Sequence, residues 1–358
     1  MKIVNLIPDL LTPGMVLYED LFNSNGAGIF LRRDTVLTES YIERIKDNNI
    51  EKVKIKLPEE NQADSSVPVI KSVYDKDRIA KFRANYTEKV DEVTHIIKEI
   101  GRGGFVDLRQ INEISKHIIH DFRTLSDVIN YLHLVRPLDD YTYSHSLNVS
   151  LIAIIIAKWL NLSKKEVDEI ATAGLLHDIG KTKVSQDLLS KPGRLTDQEF
   201  ELIKKHTILG YDLIEKARDA SAQIKLSVLM HHEKIDGTGY PLGVTDTEIP
   251  EFAKIIAVAD IYDAMTSNRS YREKMCPFEV IKNFEMQTFG KLDTKVLTVF
   301  LKNIATSYLG DFVELSNGEI AEVVFINPSR VWQPIVKSGN EYIDLSKPNN
   351  KLYIKQIV

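Results

Sequence analysis

The sequence predicts a mainly α protein: a helical central domain, preceded by a small α+β module and followed by a small β-rich appendage. Three observations predict it. From about Val106 to Thr306 apolar residues recur almost throughout at helical spacing. Residues 1–57 instead break into short alternating segments. After Gly310 alternation returns, punctuated by an Asn317-Gly318 hairpin signal.

In residues 1–57 the runs KIVNLI, MVLYED, GIFLRR and KVKIK read as strands, and TESYIERIKDNN reads as one helix. The polar run PEENQADSSVP has linker composition, which assigns residues 58–74 to a linker. Residues 75–104 form a long connecting helix: Ile79, Phe82, Val90, Val93, Ile96 and Ile97 make one apolar face, and Gly101, Gly103 and Gly104 end it. That face is expected to pack on the next domain; the alternative is a seam between the two copies of a homodimer. Residues 105–306 are the helical domain. Ser163 with Glu166, and Thr196 with Glu199, each place a helix start, because hydroxyl and carboxylate together satisfy backbone N–H groups that have no helical partner there. Residues 307–358 carry the β runs FVEL, EIAEVVFI, QPIV, EYIDL and KLYIKQI.

Composition narrows the chemistry. A net charge of −5 argues against a broad surface for polymeric nucleic acid, which needs a basic excess. Cys276 is the only cysteine, so intrachain disulfides and thiolate-rich zinc sites are excluded, and any metal must be held by nitrogen and oxygen. The longest apolar stretch, Val149 to Leu160, is broken by Ser150 and Lys158 and falls short of the roughly 20 residues that span a bilayer. No membrane association is expected. The N-terminal MKIVNLIPDLL lacks the form of a secretory leader, which places the protein in the cytoplasm.

Five of the nine histidines, His145, His177, His206, His231 and His232, fall within one helical stretch of 88 residues. Each lies in or at the end of an apolar helix. A lone helical histidine is more often hydrogen-bonded or exposed than a ligand, and that reading is kept for His95, His117, His120 and His133. Five together need partners, because an unpaired buried polar group costs roughly 1–3 kcal/mol. A shared metal supplies them. Asp178 follows His177 directly, and Asp260 sits amid the apolar residues of AKIIAVADIYDAM, a costly place for a charge unless a cation faces it. Seven such groups are too many for one tetrahedral ion and suit two ions sharing a carboxylate. Imidazole and carboxylate without sulfur fit iron, manganese or another first-row ion in octahedral coordination better than a closed structural zinc site.

Directly after two of these histidines comes HHEKIDGTGYP, His231 to Pro241. Its glycines permit tight backbone shapes, so the loop, with Asp236, Gly239 and Tyr240, can line a substrate pocket. Beyond Asp260, Arg269 and Arg272 suit a phosphate through bidentate hydrogen bonds, although solvated surface arginines would look the same.

These residues resemble the HD-GYP family, bacterial phosphodiesterases of cyclic di-GMP within the HD superfamily of metal-dependent phosphohydrolases. The resemblance rests on Tyr141 to Ser146, on LLHDIGK at Leu175 to Lys181, on Lys205-His206, on the His231 to Pro241 element and on ADIYDAMTS at Ala259 to Ser267, and covers roughly residues 105–305. It implies an all-helical HD-type catalytic domain. It implies two divalent metal ions, one held by His145, His177 and Asp260 and the other by His206, His231 and His232, with Asp178 bridging. Asp178 and Lys181 would be the catalytic pair, Lys181 steadying phosphate or nucleophile, and Tyr240, Arg269 and Arg272 would be substrate contacts. Two departures stand out. Tyr141 occupies a position where some members carry a Glu that supports a third metal, and Asn268 and Ser270 replace a frequent Asp and Pro.

The implied reaction is hydrolysis of a 3',5'-phosphodiester by a metal-bridging hydroxide, opening cyclic di-GMP to pGpG, GMP or both. One rival is a non-catalytic cyclic dinucleotide receptor that signals to a protein partner, for which the N-terminal module is the candidate contact. Another is an HD hydrolase of a different nucleotide.

Overall fold

A computed structural model describes residues 2–6, 8, 11, 15–22, 29–47, 50, 53–57, 76–104, 107–120, 128–129, 132, 141–217, 219–267 and 275–358. The chain divides into two compact units, Met1–Lys71 and Ser72–Val358. The expected linker, residues 58–74, lies outside the described residues.

In the first unit, β1 (Lys2–Leu6), β2 (Val16–Leu17) and β5 (Val53–Leu57) form an antiparallel sheet in the order β1-β5-β2. A second ribbon pairs β3 (Leu21–Phe22) with β4 (Ile29–Leu31), and α1 (Glu39–Asp47) follows. Strand β3 was not among the expected runs. Two residues are too few to show alternation. Leu17, Leu37, Ile45, Val53 and Ile55 make this unit's own core.

The second unit opens with α2 (Lys76–Gly101). Phe82, Tyr86, Val90, Val93, Ile97 and Ile100 repeat along one face, and all are buried in the core shared with the helices that follow. Packing, the first role expected of the connecting helix, is thus the one this face has. Next come α3 (Leu108–His120), α4 (Tyr141–Trp159) and α5 (Lys164–Leu176). Then follow a 3-10 turn at Ile179–Lys183, α6 (Gln186–Leu189), α7 (Asp197–Lys204), α8 (His206–Glu215) and α9 (Ala222–Met230). A second 3-10 turn at Asp246–Glu248 leads to α10 (Glu251–Thr266), α11 (Pro277–Gln287) and α12 (Thr294–Thr306). Both predicted helix starts are present, with reciprocal capping bonds at Ser163/Glu166 and Thr196/Glu199.

Helices α4 and α10 are apolar on nearly every side and pack against each other in the middle of the unit. Toward one end each carries buried polar residues of the site: His145 and Asn148 on α4, Asp260 and Asp263 on α10. The C-terminal appendage is an antiparallel sheet of β6 (Phe312–Leu315), β7 (Ile320–Phe325), β8 (Ile335–Ser338), β9 (Glu341–Asp344) and β10 (Ile354–Ile357), in the order β10-β6-β7-β8-β9. Among the described residues no helix is long and apolar enough to cross a membrane.

Candidate metal centre

Helix α5 ends at Leu176, and the next two residues, His177 and Asp178, turn the chain into the 3-10 turn with both side chains buried. The close approach of α8 shapes this corner. A Cβ on Gly180 would stand 1.8 Å from the His206 carbonyl oxygen, so only glycine fits between Asp178 and the helix that begins with His206. His231 and His232 follow α9 directly, and α4 and α10 bring His145 and Asp260 from the other side.

The seven sequence-predicted residues meet in one place. Asp178 with His206, His231 and His232, and Asp178 with His145 and His177, are each close enough to hold a metal ion. Oδ1 of Asp178 lies 3.2 Å from His206 Nε2 and 3.9 Å from His231 Nε2. Oδ2 lies 3.3 Å from His177 Nε2 and 3.7 Å from His145 Nε2. One carboxylate thus offers one oxygen to each set of histidines. Asp260 reaches toward both sets, with Oδ1 3.0 Å from His145 Nε2 and Oδ2 3.7 Å from His232 Nδ1.

The tautomers are set locally. His177, His206 and His231 each direct Nδ1 at the carbonyl three residues earlier, Gly174, Ile203 and Val228, at 2.7, 2.7 and 2.9 Å. A carbonyl can only accept, so each Nδ1 carries a proton and Nε2 is the atom turned inward, where its lone pair can serve a metal. His145 directs Nδ1 at the Asp263 carboxylate, 2.7 Å away. Two inward lone pairs, on His206 and His231, are 3.4 Å apart. His177 Nε2 and Asp178 Oδ1 are buried without a hydrogen bond. Electron pairs converging in a buried space with no donor between them repel, and a cation relieves this. The residues present therefore fit a metal site of nitrogen and oxygen donors.

The electrostatics agree. Burial holds His231 well below its ordinary pKa and depresses His232 to about 3, so both are neutral donors at pH 7. Burial also opposes a charge on His145, but Asp260 and Asp263 outweigh it and raise the group to about 9. Burial alone would raise Asp178; the Lys181 ammonium beside it instead holds it well below the usual carboxylate range. Lys181, one turn on, places Nζ 2.5 Å from Asp178 Oδ2.

The loop after His232 is organised from within. Glu233, buried, accepts from the backbone N–H of Leu242 at 2.6 Å and of Gly243 at 3.1 Å. Gly239 lies against Glu233, where a Cβ would come within 2.4 Å of Glu233 Cα. Asp236 accepts from Thr238 N at 3.0 Å and Thr238 Oγ1 at 2.7 Å, bonds that shape the loop itself. Tyr240 stacks on His232, ring centroids 4.7 Å apart, and meets Phe200 edge-on at 6.2 Å. Arg269 and Arg272, with Asn268 and Ser270, lie outside the described residues. Of the histidines set aside, His95 and His117 are exposed; the side chains of His120 and His133 are outside the description. The sequence reading did not single out Asp263, Asn148 or Glu233. For Asp263 a signal existed: in DIYDAM it stands one helical turn after Asp260 on the same face.

Residues 132–296 match the family model for the HD domain. All seven clustered residues fall inside that range. Among curated proteins the chain is 36% identical over 227 residues to a cyclic di-GMP phosphodiesterase of Pseudomonas aeruginosa, covering 63% of this chain and 54% of that protein. It is 30% identical over 240 residues to the cyclic di-GMP phosphodiesterase PdeB of Borreliella burgdorferi, covering 64% and 63%. It is 29% identical over 199 residues to a 3'3'-cGAMP-specific phosphodiesterase of Vibrio cholerae, covering 55% and 36%. The chain thus spans less than two thirds of each of these relatives.

Proposed function

We propose that the protein is a metal-dependent phosphodiesterase that hydrolyses cyclic di-GMP, with the cluster around Asp178 as its active site. The observation that carries this reading is the Asp178 carboxylate, with one oxygen toward His206 and His231 and the other toward His177 and His145. His145, His177 and Asp260 would hold one divalent ion, His206, His231 and His232 the other, and Asp178 both; the donor set suits iron or manganese. Two such ions supply positive charge beside a scissile phosphate and acidify the attacking water.

The chain's own residues supply the rest. Asp178 and the Nδ1-bonded histidines fix the donors in advance of binding, so little reorganisation is left for the reaction. Lys181 brings a cation to Asp178 Oδ2, where it would steady phosphate or nucleophile. Tyr240 and the loop bearing Asp236 and Gly239 form the wall for the nucleotide, with Arg269 and Arg272 as further phosphate contacts. Breaking one ester gives pGpG, breaking both gives GMP. The N-terminal module is the candidate surface for a protein partner.

A second substrate, 3'3'-cGAMP, is favoured by the Vibrio cholerae relative. The test is turnover of both dinucleotides by anaerobically purified protein loaded with iron or manganese, read by nucleotide chromatography beside Asp178→Ala. Formation of linear product or mononucleotide by the wild type alone supports the enzyme reading. Binding of the dinucleotide without turnover would replace it with a receptor.

A further inference from the structure

Asn148 stands three residues after His145 on α4, and both side chains meet the same carboxylate. Asp263 Oδ2 lies 2.7 Å from His145 Nδ1, while Asp263 Oδ1 accepts from Asn148 Nδ2 at 3.0 Å and from Ser267 Oγ at 3.2 Å. The direction of each bond is forced. A carboxylate only accepts, so the Asn148 amide must turn its N–H₂ toward Asp263, which leaves its Oδ1 facing away. That oxygen accepts from the Tyr86 hydroxyl at 2.7 Å. Tyr86 lies on α2, and it, Asn148, Asp263 and His145 are all at least 97% buried.

We infer that Tyr86 is a positioning residue for the metal centre, acting on His145 through Asn148 and Asp263. Its hydroxyl fixes the rotation of the Asn148 amide. The amide holds one oxygen of Asp263, and the other oxygen sets the plane of the His145 ring and the direction of its Nε2. Tyr86 itself touches none of the seven clustered residues in this chain of contacts. The inference rests on the metal reading and extends it to α2, which becomes a wall of the site rather than a spacer. In water such a chain would contribute little; in a buried, low-dielectric setting each link constrains the next, and a missing donor leaves an unpaired oxygen behind. Helical periodicity counts a buried tyrosine as one more apolar position and is silent about its hydroxyl.

The test compares metal-free wild type, Tyr86→Phe, Asp263→Asn and Ser115→Ala, titrated with Mn²⁺ and followed by the electron paramagnetic resonance of the free ion. Phenylalanine keeps the ring and removes only the hydroxyl. Ser115→Ala is the control: it deletes another buried bond to α4, Ser115 Oγ to Ser150 Oγ at 2.8 Å, outside this chain. Loss of a group that directly orients a ligating histidine costs roughly 10- to 100-fold in affinity, expected for Asp263→Asn, and Tyr86→Phe, one bond further out, is expected to weaken one of two ions roughly threefold to tenfold. Ser115→Ala should stay within about twofold, with a comparable loss of thermal stability. Binding by Tyr86→Phe equal to wild type, or equal weakening in Ser115→Ala, would overturn the inference alone. No Mn²⁺ binding by the wild type would overturn the metal reading beneath it.

Discussion

Gly180 shows how closely single residues constrain this centre. A Cβ there would meet the His206 carbonyl at 1.8 Å and the Gly210 N at 2.5 Å, both backbone atoms that cannot swing aside. Gly180→Ala is therefore expected to destabilise the protein by about 1–3 kcal/mol through overpacking and to push α8 with His206 away from Asp178. Urea unfolding measures the first effect and metal retention the second; an alanine variant with unchanged stability would contradict the packing described. At this scale the sequence was informative where chemistry and surroundings clash. His145, His177, His206, His231, His232, Asp178 and Asp260 are polar groups in apolar helices, and that mismatch is visible without coordinates. Tyr86 and Glu233 carry no such contrast, and the contrast that Asn148 carries does not name its partners. Their roles arise from bonds to residues distant in sequence or to backbone N–H groups, such as those of Leu242 and Gly243, which a residue pattern does not reveal.

Among the elements, helix starts were the most legible. Ser163/Glu166 and Thr196/Glu199 form capping boxes as read, while a third, Thr245/Glu248, heads only a 3-10 turn without the apolar periodicity that would have marked it. Glu199 has a further consequence. The Lys191 ammonium, 2.7 Å and 2.8 Å from its two oxygens, and the Thr196 backbone N–H lower its pKa from 4.5 to about 2. A depressed carboxylate contributes stability that is present above its unfolded value, about pH 4.5, and is lost as pH falls through its folded value near 2. The thermal midpoint of Glu199→Gln should thus lie below wild type above pH 4.5 and converge with it toward pH 2. A gap independent of pH would show that the charge does not matter to α7. The short strands were less legible, since β3, with two residues, is held by pairing with β4 rather than by a pattern of its own.

Over the whole molecule the chain divides into an N-terminal unit and a larger helical and β unit, and each unit closes its own core. The β appendage shares the core of the helical domain: Val313, Leu315, Ala321 and Val323 are buried in the same cluster as Phe284 and Phe300. That union was not legible, because alternation marks a strand's buried face without saying what covers it. A chain of residues 72–358 is accordingly expected to unfold in one cooperative transition and to bind the same number of ions as the full chain, by calorimetry and elemental analysis. Loss of ions on removing residues 1–71 would show that the first unit takes part in the site. A single carboxylate shared by two sets of histidines fixes the number of ions that the chain binds. Elemental analysis of Mn²⁺-loaded wild type, His177→Ala and His206→Ala should give about two ions per chain for the wild type and about one for each variant. A single ion in the wild type, or two retained in either variant, would contradict it.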